Sequence, residues 1–72
     1  MTKDEAPFAR FLEQRFEYHN QDMIKTLLAI DKSMTKLRYN HYDVFKAYQK
    51  LNSEQKNRVI ANVLFRYGRG KN

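Results

Sequence analysis

A chain of 72 residues has room for one domain and a thin margin of stability. It has no Cys, which excludes disulfides and thiolate metal sites, and no apolar run near the roughly 18 residues of a membrane span. Its net charge of +6 is unevenly placed: residues 1–45 carry seven Lys/Arg and seven Asp/Glu, whereas residues 46–72 carry Lys46, Lys50, Lys56, Arg58, Arg66, Arg69 and Lys71 against Glu54 alone. A basic end of this kind implies an acidic partner.

Pro7, Gly68 and Gly70 are the only Pro and Gly residues, and no β alternation is sustained, so the chain is expected to be all-α, with two to four helices. The first helix should start near Asp4, a good N-cap, with Pro7 early enough to lose no internal bond. Phe8, Leu12, Phe16, His19, Met23, Leu27, Ile30, Met34 and Leu37 then follow at steps of three and four, one stripe on a helix. Phe11, Ile24 and Leu28 widen it. Tyr18–Asp22, where Asn20 could cap a new helix, and Asp31–Ser33 are two places where the stripe could break. Asn40 with Asp43 resembles a capping arrangement ahead of Val44, Phe45, Tyr48 and Leu51. Asn52 with Gln55 forms a capping box, Ser53 competing, ahead of Val59, Ile60, Val63, Leu64 and Tyr67. Gly68 sits where a left-handed terminal residue is wanted, which leaves Arg69–Asn72 as a mobile basic tail.

A stripe over 8–37 looks too long for so short a chain to bury alone, and nothing else reinforces the fold. A helical homodimer is therefore expected, with Leu12, Phe16, Met23, Leu27, Ile30 and Met34 at the contact. The chain divides accordingly into a dimerisation region, 1–52, and a basic amphipathic partner-binding helix with its tail, 53–72.

Catalysis finds little support. Ser33 and Ser53 lie at helix caps without a sequence-local base, His19 lies on the apolar stripe, and His41 lies in a capping turn. The carboxylates are scattered, as in Glu13 beside Arg10, and no Gly-rich phosphate loop exists. No enzyme, cofactor or metal is expected. The last helix is more informative: Arg58, Asn62, Arg66 and Arg69 line one face, Val59, Ile60, Val63, Leu64 and Tyr67 the next, and Phe65 falls near the border. Such a helix can drop its apolar stripe into a groove while its arginines meet acidic residues on the rim.

The segment Asn57-Arg58-Val59-Ile60-Ala61-Asn62-Val63-Leu64-Phe65 resembles the capsid-binding C-terminal helix of staphylococcal phage scaffolding proteins. The short length, helical makeup and basic end resemble the capsid morphogenesis proteins of staphylococcal pathogenicity islands. The resemblance rests on Arg58 to Leu64, and elsewhere is one of character. It implies an internal scaffold that redirects a phage major coat protein into smaller shells. Arg58, Val59, Ile60, Val63, Leu64, Phe65, Arg66 and Arg69 would meet an acidic groove on that protein. The expected location is the bacterial host cytoplasm and the procapsid interior, with the protein absent from the mature particle. The alternatives are a small nucleic-acid-binding regulator and, behind it, a helical antagonist of a host or phage enzyme. Residues 40–51 and 53–67 could form a helix-turn-helix, with Arg58, Asn62 and Arg66 reading a groove and Tyr39, Tyr42 and Tyr48 stacking on bases. Some weak, non-specific attraction to nucleic acid follows from the basic end in either case. No membrane partner is expected.

Overall fold

Five helices account for most of the chain: α1 (Glu5–Tyr18), α2 (Met23–Lys32), α3 (Met34–Asn40), α4 (Tyr42–Lys50) and α5 (Ser53–Gly70). The computed structural model describes the backbone of residues 2–70 and the side chains of residues 2–67. The all-helical expectation holds among these residues, but the count exceeds two to four because the long stripe breaks at both flagged places.

Helix α1 begins in a reciprocal box rather than on Asp4, whose side chain makes no cap bond. The Thr2 N–H donates to Glu5 Oε1 (2.7 Å) and the Glu5 N–H donates to Thr2 Oγ1 (3.3 Å). The helix ends in a Schellman turn: Gln21 N–H donates to the Phe16 carbonyl (2.7 Å) and Asn20 N–H to that of Glu17 (3.1 Å). The turn needs a left-handed backbone, and Asn20 (φ 57°) and Gln21 (φ 62°) supply it without glycine. Asp22 then caps α2, accepting from Lys25 N–H (3.1 Å). Its carbonyl accepts from the buried Thr26 hydroxyl (2.7 Å), so that polar group is satisfied inside the fold.

A single residue, Ser33, separates α2 from α3, and a single residue, His41, separates α3 from α4. The expected Asn40–Asp43 cap is not made. Asn40 is instead taken into the last turn of α3, one residue too early to sit at the N-terminus of α4. The Asn52–Gln55 box forms as the sequence indicates, Asn52 N–H to Gln55 Oε1 (2.9 Å) and Gln55 N–H to Asn52 Oδ1 (2.8 Å). Helix α5 does not stop at Gly68. No described glycine has a positive φ, and the helix continues through Gly70. A glycine inside a helix costs only about 1 kcal/mol relative to Ala, and Tyr67, the residue before Gly68, anchors that turn by packing edge to face on Phe16. Arg69 and Gly70 are thus helical rather than tail. Lys71 and Asn72 lie outside the described residues.

Helix α1 is the hub. It packs against α2, α4 and α5, while α3 bridges α2 and α4. Phe8, Ala9, Phe11, Leu12 and Phe16 of α1 meet Ile30, Leu37, Val44, Leu51, Val59 and Val63 in one core, with Ala47 of α4 also buried. The radius of gyration, 11.8 Å, is close to the roughly 11 Å of a folded single chain of this length. This removes the premise of the dimer. Broken twice, the stripe folds back on itself, so Leu12, Phe16 and Ile30 are spent in the chain's own core, and Met23, Leu27 and Met34 pack against it, partly buried. The boundary at residue 52 is not a packing boundary either, since Val59 and Val63 of α5 belong to the same core.

Asn20 tolerates a left-handed backbone, but Gln21 beside it carries strain of about 1–2 kcal/mol. Gln21→Gly is therefore expected to raise stability by up to about 1 kcal/mol once the flexibility gained by the unfolded chain is subtracted. Urea unfolding measures this, and a loss of stability would show that the Gln21 amide's bond to Glu17 Oε1 (3.2 Å) outweighs the strain.

Candidate interaction face on the C-terminal helix

Helix α5 lies beside α1 in a fixed register. Arg58 pairs with Glu5 (3.5 Å) and Arg66 with Glu13 (2.7 Å), an offset of 53 residues in both cases. The two helices therefore run parallel, and the two charged rungs are eight residues, or about 12 Å, apart. Below the second rung Tyr67 meets Phe16 edge to face, ring centroids 5.0 Å apart. On the other flank the Lys56 ammonium sits 4.0 Å from the centre of the Tyr48 ring, which ties α5 to α4.

These contacts divide the expected partner-binding residues. Val59 and Val63 are core, and Ile60 is half-buried against it. Arg58 and Arg66 are half-exposed but engaged with α1, and Arg58 also reaches Glu54 (3.7 Å). Leu64 and Phe65 are exposed, at 44% and 62%. The side chain of Arg69 lies outside the described residues. The arginine ridge and the whole apolar stripe of α5 therefore do not present together: Val59, Ile60 and Val63 face inward, and the outward apolar side chains are Leu64 and Phe65.

Glu5 is the most constrained charge. Its side chain is buried, with Oε1 accepting from Thr2 and Oε2 facing Arg58 without a hydrogen-bond donor. The Thr2 N–H bond, followed by the Thr2 hydroxyl and the Arg58 charge, holds its pKa below the ordinary carboxylate value against the opposing pull of burial. Burial, with the negative charges of Glu17 and Glu13, pushes the Tyr67 phenol up.

Of the residues considered for chemistry, Ser33, His19 and His41 line one cavity between α1, α2 and α3, and Ser53 stands apart at the start of α5. Ser33 and Ser53 sit at different helix starts. His41 lies 5.5 Å from the Phe11 ring, and His19 packs edge to face on Tyr18. Among the described residues no group of three His, Cys, Asp or Glu could hold a metal ion, and no helix is long and apolar enough to cross a membrane.

Sequence reasoning missed two features. Ile24 and Leu28 are exposed, at 74% and 55%. They were expected to widen the buried stripe, but the turn at residues 19–22 resets the helical phase and leaves that edge of α2 outward. The other is that cavity between α1, α2 and α3, of about 330 Å³, whose walls recur at helical steps within residues 11–19 and 29–41 but meet only because the chain turns back between them. No family model matches the chain, and neither curated proteins nor solved structures give a significant match.

Arg58→Glu should destabilise the fold, because it sets a second carboxylate against buried Glu5. Arg66→Glu should do so less, its partner being partly exposed. Since the folded pKa of Glu5 is depressed, its contribution is present in full above the ordinary carboxylate range and is lost as pH falls through that depressed value. Denaturant unfolding at neutral and acidic pH reads both effects, and Glu5→Gln should flatten part of the acid-side loss.

Proposed function

We propose that the chain is a non-enzymatic interaction protein that presents the outward face of α5 to an acidic protein surface. Within that class it acts as an internal scaffold for a phage coat protein, redirecting assembly toward a smaller shell. The observation that carries the reading is Leu64 beside Phe65, two large apolar side chains exposed on a helix whose opposite face is fixed in the core. Leu64 and Phe65 supply the apolar contact, and the net positive charge of residues 46–72 supplies long-range charge complementarity. Two such copies held together would set the angle between neighbouring coat subunits, and angle sets curvature. That self-association would have to use surface other than the buried Leu12, Phe16 and Ile30; sedimentation equilibrium at roughly tens of micromolar should show a dimer, and a monomer alone would remove the curvature mechanism.

The helix-turn-helix reading draws less support. A recognition helix needs its basic ridge free for phosphates and base edges, and here Arg58 and Arg66 are paired with carboxylates of α1 and α5. Nucleic-acid binding should accordingly be weak, without sequence preference, and fade steeply with salt. A gel shift showing one preferred duplex at roughly 0.15 M salt would reverse the ranking.

The direct test is co-expression with a candidate coat protein and electron microscopy of the particles, where shell size should change. Leu64→Asp combined with Phe65→Ser should leave the helical spectrum intact and weaken partner binding by at least about 2 kcal/mol, the scale of an interface hot spot. Unchanged shells with both the parent chain and the variant would remove the scaffolding assignment. Full partner binding by the variant would remove the face.

A further inference from the structure

The cavity between α1, α2 and α3 contains no residue of α4 or α5 and stands apart from the proposed interaction face. Its volume, about 330 Å³, lies at the lower end of the range for small-molecule pockets, about 300–1,000 Å³. Two features mark its walls. One is an aromatic shelf: the Phe11 ring meets His41 at 5.5 Å, and the Arg15 guanidinium lies over both Phe11 (5.5 Å) and Tyr18 (5.3 Å). The other is charge. Arg15 and Lys36 both line the cavity and no Asp or Glu does, and among the described residues neither cation has a carboxylate at ion-pairing distance. The Ser33 hydroxyl lines it too, and does not cap α3.

This differs from the arginines of α5, which are paired with acids. Arg15 is positioned by aromatic rings instead, so its charge and its fork of donors stay available. A guanidinium held over two rings, a second cation and Ser33 beside an aromatic wall form a complementary surface for one anionic group attached to an aromatic ring. We propose that this cavity binds a small aromatic anion, a carboxylate or phosphate on a flat ring, with Arg15 and Lys36 on the anionic group and the Phe11, Tyr18 and His41 shelf against the ring.

Amide chemical-shift titration of the full chain tests this with four probes: adenosine monophosphate, indole-3-acetate, neutral adenosine and inorganic phosphate. At least one of the first two should saturate, with shifts centred on Arg15–His19 and Ser33–His41, and whichever binds tighter identifies the phosphate or the carboxylate source. Adenosine and inorganic phosphate, each lacking one half of the recognition, should bind at least tenfold more weakly. Lys36→Gln changes an exposed side chain and should weaken binding by about tenfold, as should Arg15→Gln, each with an otherwise unchanged spectrum. Binding of adenosine as tight as that of the anions, shifts centred on α5, or indifference to Lys36→Gln would each overturn the proposal, as would saturation by none of the four.

Discussion

Helix α1 must be covered on three sides at once, and the rest of the structure follows from that demand. Five of its apolar residues, Phe8, Ala9, Phe11, Leu12 and Phe16, are buried. They spread around too much of the helix for any single neighbour to shield them. Helices α2, α4 and α5 each take one sector. A parallel neighbour such as α5 cannot be reached by a short hairpin, because the chain must first return to the N-terminal end of α1. The short helices α2 to α4 make that return, and their single-residue joints at Ser33 and His41 keep the path tight enough to bury Ile30, Leu37 and Val44 on the way.

The charged rungs refine this packing rather than create it. Apolar burial of Val59 and Val63 would hold α5 against α1, but a greasy contact between two helices tolerates sliding by a turn. The Glu5–Arg58 and Glu13–Arg66 pairs share one offset, and a slip of one turn would leave buried Glu5 facing no cation. Their contribution is register and orientation more than stability, since half-exposed ion pairs contribute little net energy.

Local signals in the sequence translated in part, since the caps read at Asp4 and at Asn40–Asp43 are not made. The Asn52–Gln55 box, the breaks near residues 20 and 33, and the helical character of every segment rest on residues within a turn of one another, and local hydrogen bonding decides them. Signals that depend on where a helix ends up did not. The Phe8-to-Leu37 stripe reads as one face only while the helix is unbroken. Once it breaks, the same residues converge from three helices on a core that one chain can fill. The arginines of α5 looked free because their carboxylates lie 53 positions away, a distance over which no periodicity reports. Gly68 looked like a stop because glycine at a helix end usually is one, whereas the anchor at Tyr67 carries the helix past it. The Arg15–Lys36 cavity was invisible for a similar reason, its walls coming from three helices.

The consequence for function is that α5 is a built-in face rather than a detachable arm. On the proposed reading a partner would meet its outer surface, on a helix already held in place, so little ordering cost would fall on binding. Hydrogen exchange of the free protein tests this most directly. If α5 is part of the hub packing, the amides of residues 59–66 exchange as slowly as those of residues 9–16 and open in the same cooperative step. Rapid exchange across residues 59–66 while residues 9–16 stay protected would contradict it, making α5 a separate segment that orders only on its partner.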